Sequence, residues 1–152
     1  MEEAILIIGV GNEYRSDDGA GLAVARRLQQ MRLPHVRIME STGDGLKLLA
    51  AWNTAGATRV IIIDAVTSGA PPGTIHRFVL PSEMLSLHCT FQSTHTFGLG
   101  EALSLAQVLH QLPSSLLLYA IEAQHFATGT GLSPAVQEAV HKVVERVQQD
   151  LI

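Results

Sequence analysis

Three short runs of the chain are apolar throughout and stop abruptly: Ile5 to Ile8, Val60 to Ile63 and Leu116 to Ile121. A strand with one wet face alternates polar and apolar residues, because successive side chains point to opposite sides of a sheet. Uninterrupted apolar runs this short therefore predict strands covered on both faces, the pattern of a mainly parallel sheet enclosed by helices. Two weaker strands are expected beside them. His35 to Met39 alternates polar and apolar, and Thr74 to Leu80 follows the turn signal Pro71-Pro72-Gly73 and reads as a strand at an edge.

Helical spacing fills the intervals. Gly21, Val24, Ala25, Leu28 and Met31 share one helical face. So do Leu99, Ala102, Leu103, Ala106 and Leu109, and again Val136, Val140, Val143, Val147 and Leu151. Ser133 followed by Pro134 marks the start of the last of these helices. A shorter helix is expected from about Leu46 to Trp52. The order strand, helix, strand, helix, strand, strand, helix, strand, helix predicts an α/β fold. It is a three-layer α/β/α sandwich, with a mainly parallel central sheet of about five strands and helices on both faces. No internal repeat or linker divides the chain, so residues 1–152 are read as a single domain. The irregular segments Pro81 to Gln92 and Gln124 to Gly131 are expected at the rim.

Charge and composition narrow the function. Net charge is −4 and basic residues occur as scattered pairs such as Arg26-Arg27, which argues against coating nucleic acid phosphates. The acidic start Met1-Glu2-Glu3 is unlike a signal peptide, and no stretch approaches the roughly 20 apolar residues that span a bilayer. The single cysteine, Cys89, leaves no internal disulfide framework and reads as a buried or incidental thiol. A cytoplasmic protein with no membrane or nucleic-acid partner is expected, and nothing in the pattern requires more than a monomer.

Sites in open α/β sheets form beyond the carboxyl ends of the strands, so the residues after each apolar run carry information. After the first run comes "GVGNEYRSDDGAG", with Asp17 and Asp18 adjacent. Asp64 follows the third strand, Glu122 the last, and Glu40 closes the second. Any one such acid can simply cap a helix or face water, and Asp17 and Asp18 would suit a helix start, as would Ser16. Asp17 is assigned chiefly to that start. As a group, acids gathered at one sheet edge favour function, because two adjacent acids exceed what one cap needs and no evident helix follows Asp64.

His95, in "QSTHTFGLGEAL", lies ahead of an expected helix that begins near Phe97 or Gly98. The positive end of a helix disfavours imidazolium, which leaves a neutral lone pair for a metal. Asp18, Asp64 and His95 would make an oxygen, oxygen, nitrogen site open to zinc, nickel, cobalt or ferrous iron. Spacing alone supports this weakly, since no pair falls at helical i, i+4. Other chemistries fit less well. A dinucleotide fingerprint fails at Tyr14, although Gly9 and Gly11 leave a nucleotide-dependent enzyme as a third reading. The nucleophile elbow Gly-x-Ser-x-Gly does not occur, and no repeat sets two acids symmetrically as in an aspartic protease.

The motif "GVGNEYRSDDGAG" resembles the opening of the [NiFe]-hydrogenase maturation proteases, small endopeptidases that trim the C-terminal tail of the hydrogenase large subunit. The resemblance continues through "ESTGDGLKLL", "VIIIDAV", "HTFGLGEAL" and "IEAQHFATGTGLSPAV". It implies a metal-reading, catalytic set of Asp18, Asp64 and His95. Some members carry Glu where this chain has Asp18. It further implies that Gly9, Gly11 and Asn12 shape the turn presenting Asp18, and that Gly43 and Gly45 border the substrate cleft. Glu122 would stand near or behind that cleft. The cofactor implied is nickel, supplied by the precursor, with zinc or cadmium able to occupy the same ligands. The partner implied is the [NiFe]-hydrogenase large-subunit precursor. A non-cleaving nickel-sensing chaperone or checkpoint is the alternative reading, because no nucleophile and base pair is evident.

Overall fold

The computed structural model describes residues 4–90 and 99–152. Strands β1 (Ile5–Val10), β2 (Val36–Ser41), β3 (Arg59–Val66), β4 (Ile75–Leu80) and β5 (Ser115–Glu122) form one sheet in the order β2-β1-β3-β5-β4. All neighbours run parallel except β4, which lies antiparallel to β5; it is the edge strand expected after the Pro-Pro-Gly turn. Helices α1 (Ala20–Gln30), α2 (Gly45–Ala55), α3 (Met84–Thr90), α4 (Leu99–Val108) and α5 (Pro134–Asp150), with one turn of 3-10 helix at Ser16–Gly19, complete the described elements.

The uninterrupted apolar runs divide their side chains between two cores. Leu6, Ile8, Val10, Val60, Ile62, Leu116 and Leu118 face one side, where α2, α3 and α4 bury Leu48, Leu49, Trp52, Met84, Leu87, Ala102, Leu103 and Ala106. Ile7, Ile61, Ile63, Leu117, Tyr119 and Ile121 face the other, against Ala20, Val24 and Leu28 of α1 and Val136, Val140, Val143 and Val147 of α5. Each of the buried Val, Leu, Ile and Met side chains contributes about 1.5–3 kcal/mol by leaving water. This split explains why the strands carry no polar residue at alternate positions.

The C-terminus of α5 is anchored across the sheet. Tyr119 donates its hydroxyl proton to Asp150, and Arg77 donates to the Tyr119 oxygen at 3.2 Å and to Asp150 Oδ1 at 3.1 Å. Arg59 closes the group by donating to the Asp150 carbonyl at 2.6 Å.

Three sequence expectations are corrected. The rim segment from Pro81 contains α3, whose Met84 and Leu87 reach the core from successive turns. Seven residues are too few for a helical period to show against background. Met31 and Leu109, expected on buried helical faces, lie just past the ends of α1 and α4 and are exposed. Of the two readings of Cys89, buried or incidental, the first is overturned: it is an exposed free thiol on α3.

Candidate active site

The turn after β1 is built by backbone contacts that leave no room for side chains. Gly11 adopts φ +148°, and a Cβ there would stand 1.9 Å from the Asp18 carbonyl oxygen. Its amide donates to the Ser41 carbonyl at 2.9 Å, which joins the exits of β1 and β2. Asn12 holds the turn from both sides: its side chain accepts from the Tyr14 amide at 2.9 Å, and its amide donates to the Asp18 carbonyl at 3.3 Å. Behind the turn, a Cβ on Gly9 would meet the Gly21 carbonyl at 2.5 Å, so β1 and α1 pack at a spacing only glycine permits. The expected role of Gly9, Gly11 and Asn12 in shaping this turn matches their geometry. Gly43 lies against Val10, and Asp44 caps α2 by accepting from the amides of Leu46 and Lys47, so the Gly43 to Gly45 loop borders the same edge.

Residues Ser16–Gly19 form a single turn of 3-10 helix that packs on β3. This brings Asp18 to Asp64. Both are half-buried. Asp64 stands two residues inside the end of β3, opposite Ala120 of β5, rather than just beyond the strand as its place after the apolar run suggested. Its Oδ1 accepts from the Ala65 amide at 2.8 Å. Burial pushes the Asp64 carboxyl up to about 7; the Ala65 amide pulls it down, and the negative charge of Asp18 adds to the rise. Two carboxylates that repel each other in a place poor in water are a donor set suited to a divalent cation, whose charge would relieve both penalties. No third His, Cys, Asp or Glu completes a metal cluster with them among the described residues. His95, the expected third ligand, lies outside the described residues.

Asp17 does something different from what its place in the sequence suggests. It is fully buried and makes no cap on the helix it precedes. Its Oδ1 accepts from the Ser133 amide at 2.7 Å. Its Oδ2 accepts from the amides of Gln124 and His125, at 2.9 and 3.3 Å, and from the Ser133 hydroxyl at 2.8 Å. Burial alone would raise this carboxyl, but the hydrogen bonds from Ser133, Gln124 and His125 outweigh it and the pKa is lowered. Ser133 holds the N-cap position of α5 with Pro134 next, as expected, yet its hydroxyl serves Asp17 instead of the helix. No local signal could have revealed this, since the partners are more than 100 residues apart.

The remaining acids are also occupied. Glu122 ends β5 fully buried and accepts from the Ser68 amide at 2.7 Å, the Ser68 hydroxyl at 2.5 Å and the His76 ring at 3.1 Å. It braces the connection between β3 and β4. Glu40 and Glu13 grip Arg26 from opposite sides, at 3.0 and 2.9 Å, on the exposed rim.

An open α/β/α sandwich with a glycine-built turn and two convergent carboxylates at the carboxyl edge defines a protein of the α/β class with its site where such sheets hold ligands. The HycI model, described as hydrogenase maturation protease, matches residues 22–150, and the chain belongs to that family. The match begins just past the motif turn. Among relatives, the hydrogenase 2 maturation protease of Escherichia coli strain K12 is 28% identical over 146 residues, spanning 94% of this chain and 87% of its own. The hydrogenase expression/formation protein HupD of Thiocapsa roseopersicina is 28% identical over 93% of this chain, which spans 64% of that relative's length. Among solved structures, the [NiFe] hydrogenase maturation protease HybD of Thermococcus kodakarensis superposes with a TM-score of 0.79 at 30% identity, over 96% of this chain and 97% of that one. The hydrogenase maturating endopeptidase HybD of E. coli gives 0.80 at 27% identity, over 97% and 91%. No helix among the described residues is long and apolar enough to cross a membrane.

Proposed function

We propose that this chain is an endopeptidase that removes the C-terminal extension of a [NiFe]-hydrogenase large-subunit precursor after nickel insertion. Family membership supports the reaction class. The observation that carries the site is the meeting of Asp18 and Asp64 at the carboxyl edge of the sheet. His95 is proposed as the third ligand. In this reading the nickel belongs to the substrate: it arrives on the precursor, and the three side chains complete its coordination. Zinc or cadmium could take the same ligands in the free protein. Asp64 titrates near neutrality, so docking of a cation would expel its proton, coupling recognition of the loaded precursor to proton release. Cleavage then draws on a metal-polarised carbonyl or a metal-activated water. The protein is proposed to act as a cytoplasmic monomer.

The test is to incubate the purified protein with nickel-loaded and nickel-free precursor and weigh the products by mass spectrometry. Loss of the tail from the loaded precursor alone is expected. Equal trimming of both sinks the metal-reading role, and a bound but intact loaded precursor would make the protein a checkpoint instead.

A further inference from the structure

We propose that Asp17 is a positioning residue: it locks the 3-10 turn onto the connection between β5 and α5 and so fixes where the neighbouring Asp18 carboxylate stands. The inference rests on the metal-reading role proposed for Asp18.

A turn of 3-10 helix has about three residues per turn, so consecutive side chains leave it in directions roughly a third of a circle apart. Asp17 is fully buried, whereas Asp18 is half-buried beside Asp64. Four donors hold the two Asp17 oxygens: the amides of Gln124, His125 and Ser133, and the Ser133 hydroxyl. The flanking residues are stitched to the same segment. Ser16 donates its hydroxyl to the Ala127 carbonyl at 2.8 Å and its amide to the Gly129 carbonyl at 2.9 Å, while the Gly129 amide donates to the Tyr14 carbonyl at 2.9 Å.

The anchor at the far end is packed into the core. Ser133 is followed at once by α5, which is packed along its length through Val136, Val140, Val143 and Val147. The turn is thereby referenced to the second core as well as to β1. A carboxylate that must meet a metal within a few tenths of an ångström needs such support, and loss of supporting contacts behind a ligand costs about 10–100-fold in metal affinity or activity. The same four bonds also explain why an acid is needed at position 17. A carboxamide of equal size would turn an NH2 towards a donor whichever way it lay.

The test uses Asp17→Asn, with Ser133→Ala as a milder partner that deletes one donor and keeps the Ser133 amide. Cadmium binding to the free protein is measured by calorimetry, and trimming is measured on nickel-loaded and nickel-free precursor. All values are normalised to the folded fraction seen by circular dichroism. Asp17→Asn is expected to weaken cadmium binding about 10–100-fold and to lower kcat/KM on loaded precursor in proportion, with a smaller preference for nickel. Ser133→Ala should shift both in the same direction by a few-fold. A purely structural role would reduce the folded fraction and leave these ratios alone. Unchanged cadmium affinity and nickel preference per folded molecule would overturn the proposal. If Asp17→Asn does not fold, Ser133→Ala decides by the same two ratios. A wild-type protein that trims neither precursor defeats the endopeptidase reading, while the cadmium comparison still judges Asp17.

Discussion

Asp64→Asn should make the free protein more stable at neutral and alkaline pH while abolishing trimming of the precursor. The reason lies in the environment of the carboxyl, which is raised from 3.8 to about 7, first by burial and then by the charge of Asp18, against one opposing hydrogen bond from Ala65. A carboxyl whose pKa is higher in the folded state binds its proton more tightly there. Below pH 3.8 both states are protonated and the shift has no effect. As pH rises from about 4 to about 7 the unfolded chain ionises first, and folding stability falls until the folded carboxyl ionises too. At about 1.4 kcal/mol per pH unit, the rise corresponds to roughly 4 kcal/mol as a ceiling. The carboxyl keeps some contact with water, so the expected loss is about 1–3 kcal/mol after screening.

Asparagine mimics the protonated form and can still accept from the Ala65 amide, so its stability should lack this component. The assay is urea unfolding of both proteins in the presence of a chelator, from pH 4 to pH 8.5. With a slope of about 1–3 kcal/mol per molar urea, the midpoints should coincide near pH 4 and separate by roughly 1 M above pH 7, with the variant higher. Parallel curves, or a wild type that gains on the variant as pH rises, would refute the reasoning, since either result means the ionised carboxylate is well accommodated in the fold.

Other perturbations test other parts of the site. Gly11→Ala forces a Cβ to 1.9 Å from the Asp18 carbonyl at a φ that L residues avoid; the turn should open, with a loss of about 1–3 kcal/mol in denaturant unfolding and a collapse of trimming. Ser68→Ala removes a hydroxyl donor from buried Glu122 and should lower stability by about 1–2 kcal/mol, with trimming per folded molecule unchanged; a large drop in trimming would move Glu122 from brace to site. His95→Ala should leave the circular dichroism spectrum intact and eliminate trimming, whereas Asp18→Glu should still trim. Normal processing by His95→Ala would remove it from the ligand set.

The sheet was legible because its signal is local. Runs such as "VIII" and "LLLYAI" carry both faces of a buried strand in consecutive residues, and the helical stripes of α1 and α5 repeat over several turns. The helix α3 was not legible, because two core residues spaced by three make no period. At the site, a gathering of acids at one edge was legible because a parallel sheet brings the exits of its strands together, and the family resemblance singled out Asp18 and Asp64 among them. The partners of Asp17 and Glu122 could not be foreseen. Gln124, His125 and Ser133 reach Asp17 only once β5 has been laid beside β3 and α5 has packed against the sheet.

Burial presses upward on both Asp17 and Asp64 at this edge, and what sets Asp17 apart is its supply of donors. Asp17 is the more deeply buried of the two, yet its pKa is lowered, because four hydrogen bonds replace the water it has lost. The Asp64 pKa is raised by burial and by the like charge of Asp18, against a single amide donor, that of Ala65. A carboxylate already satisfied by fixed protein donors gains little from a cation and loses its bonds if it moves towards one. An undersatisfied carboxylate facing a second negative charge gains from a cation on both counts. In the proposed reading the adjacent acids divide the labour along one turn: Asp17 is held by four protein donors, and Asp18 stands beside the raised carboxyl of Asp64, where a cation would relieve both charges.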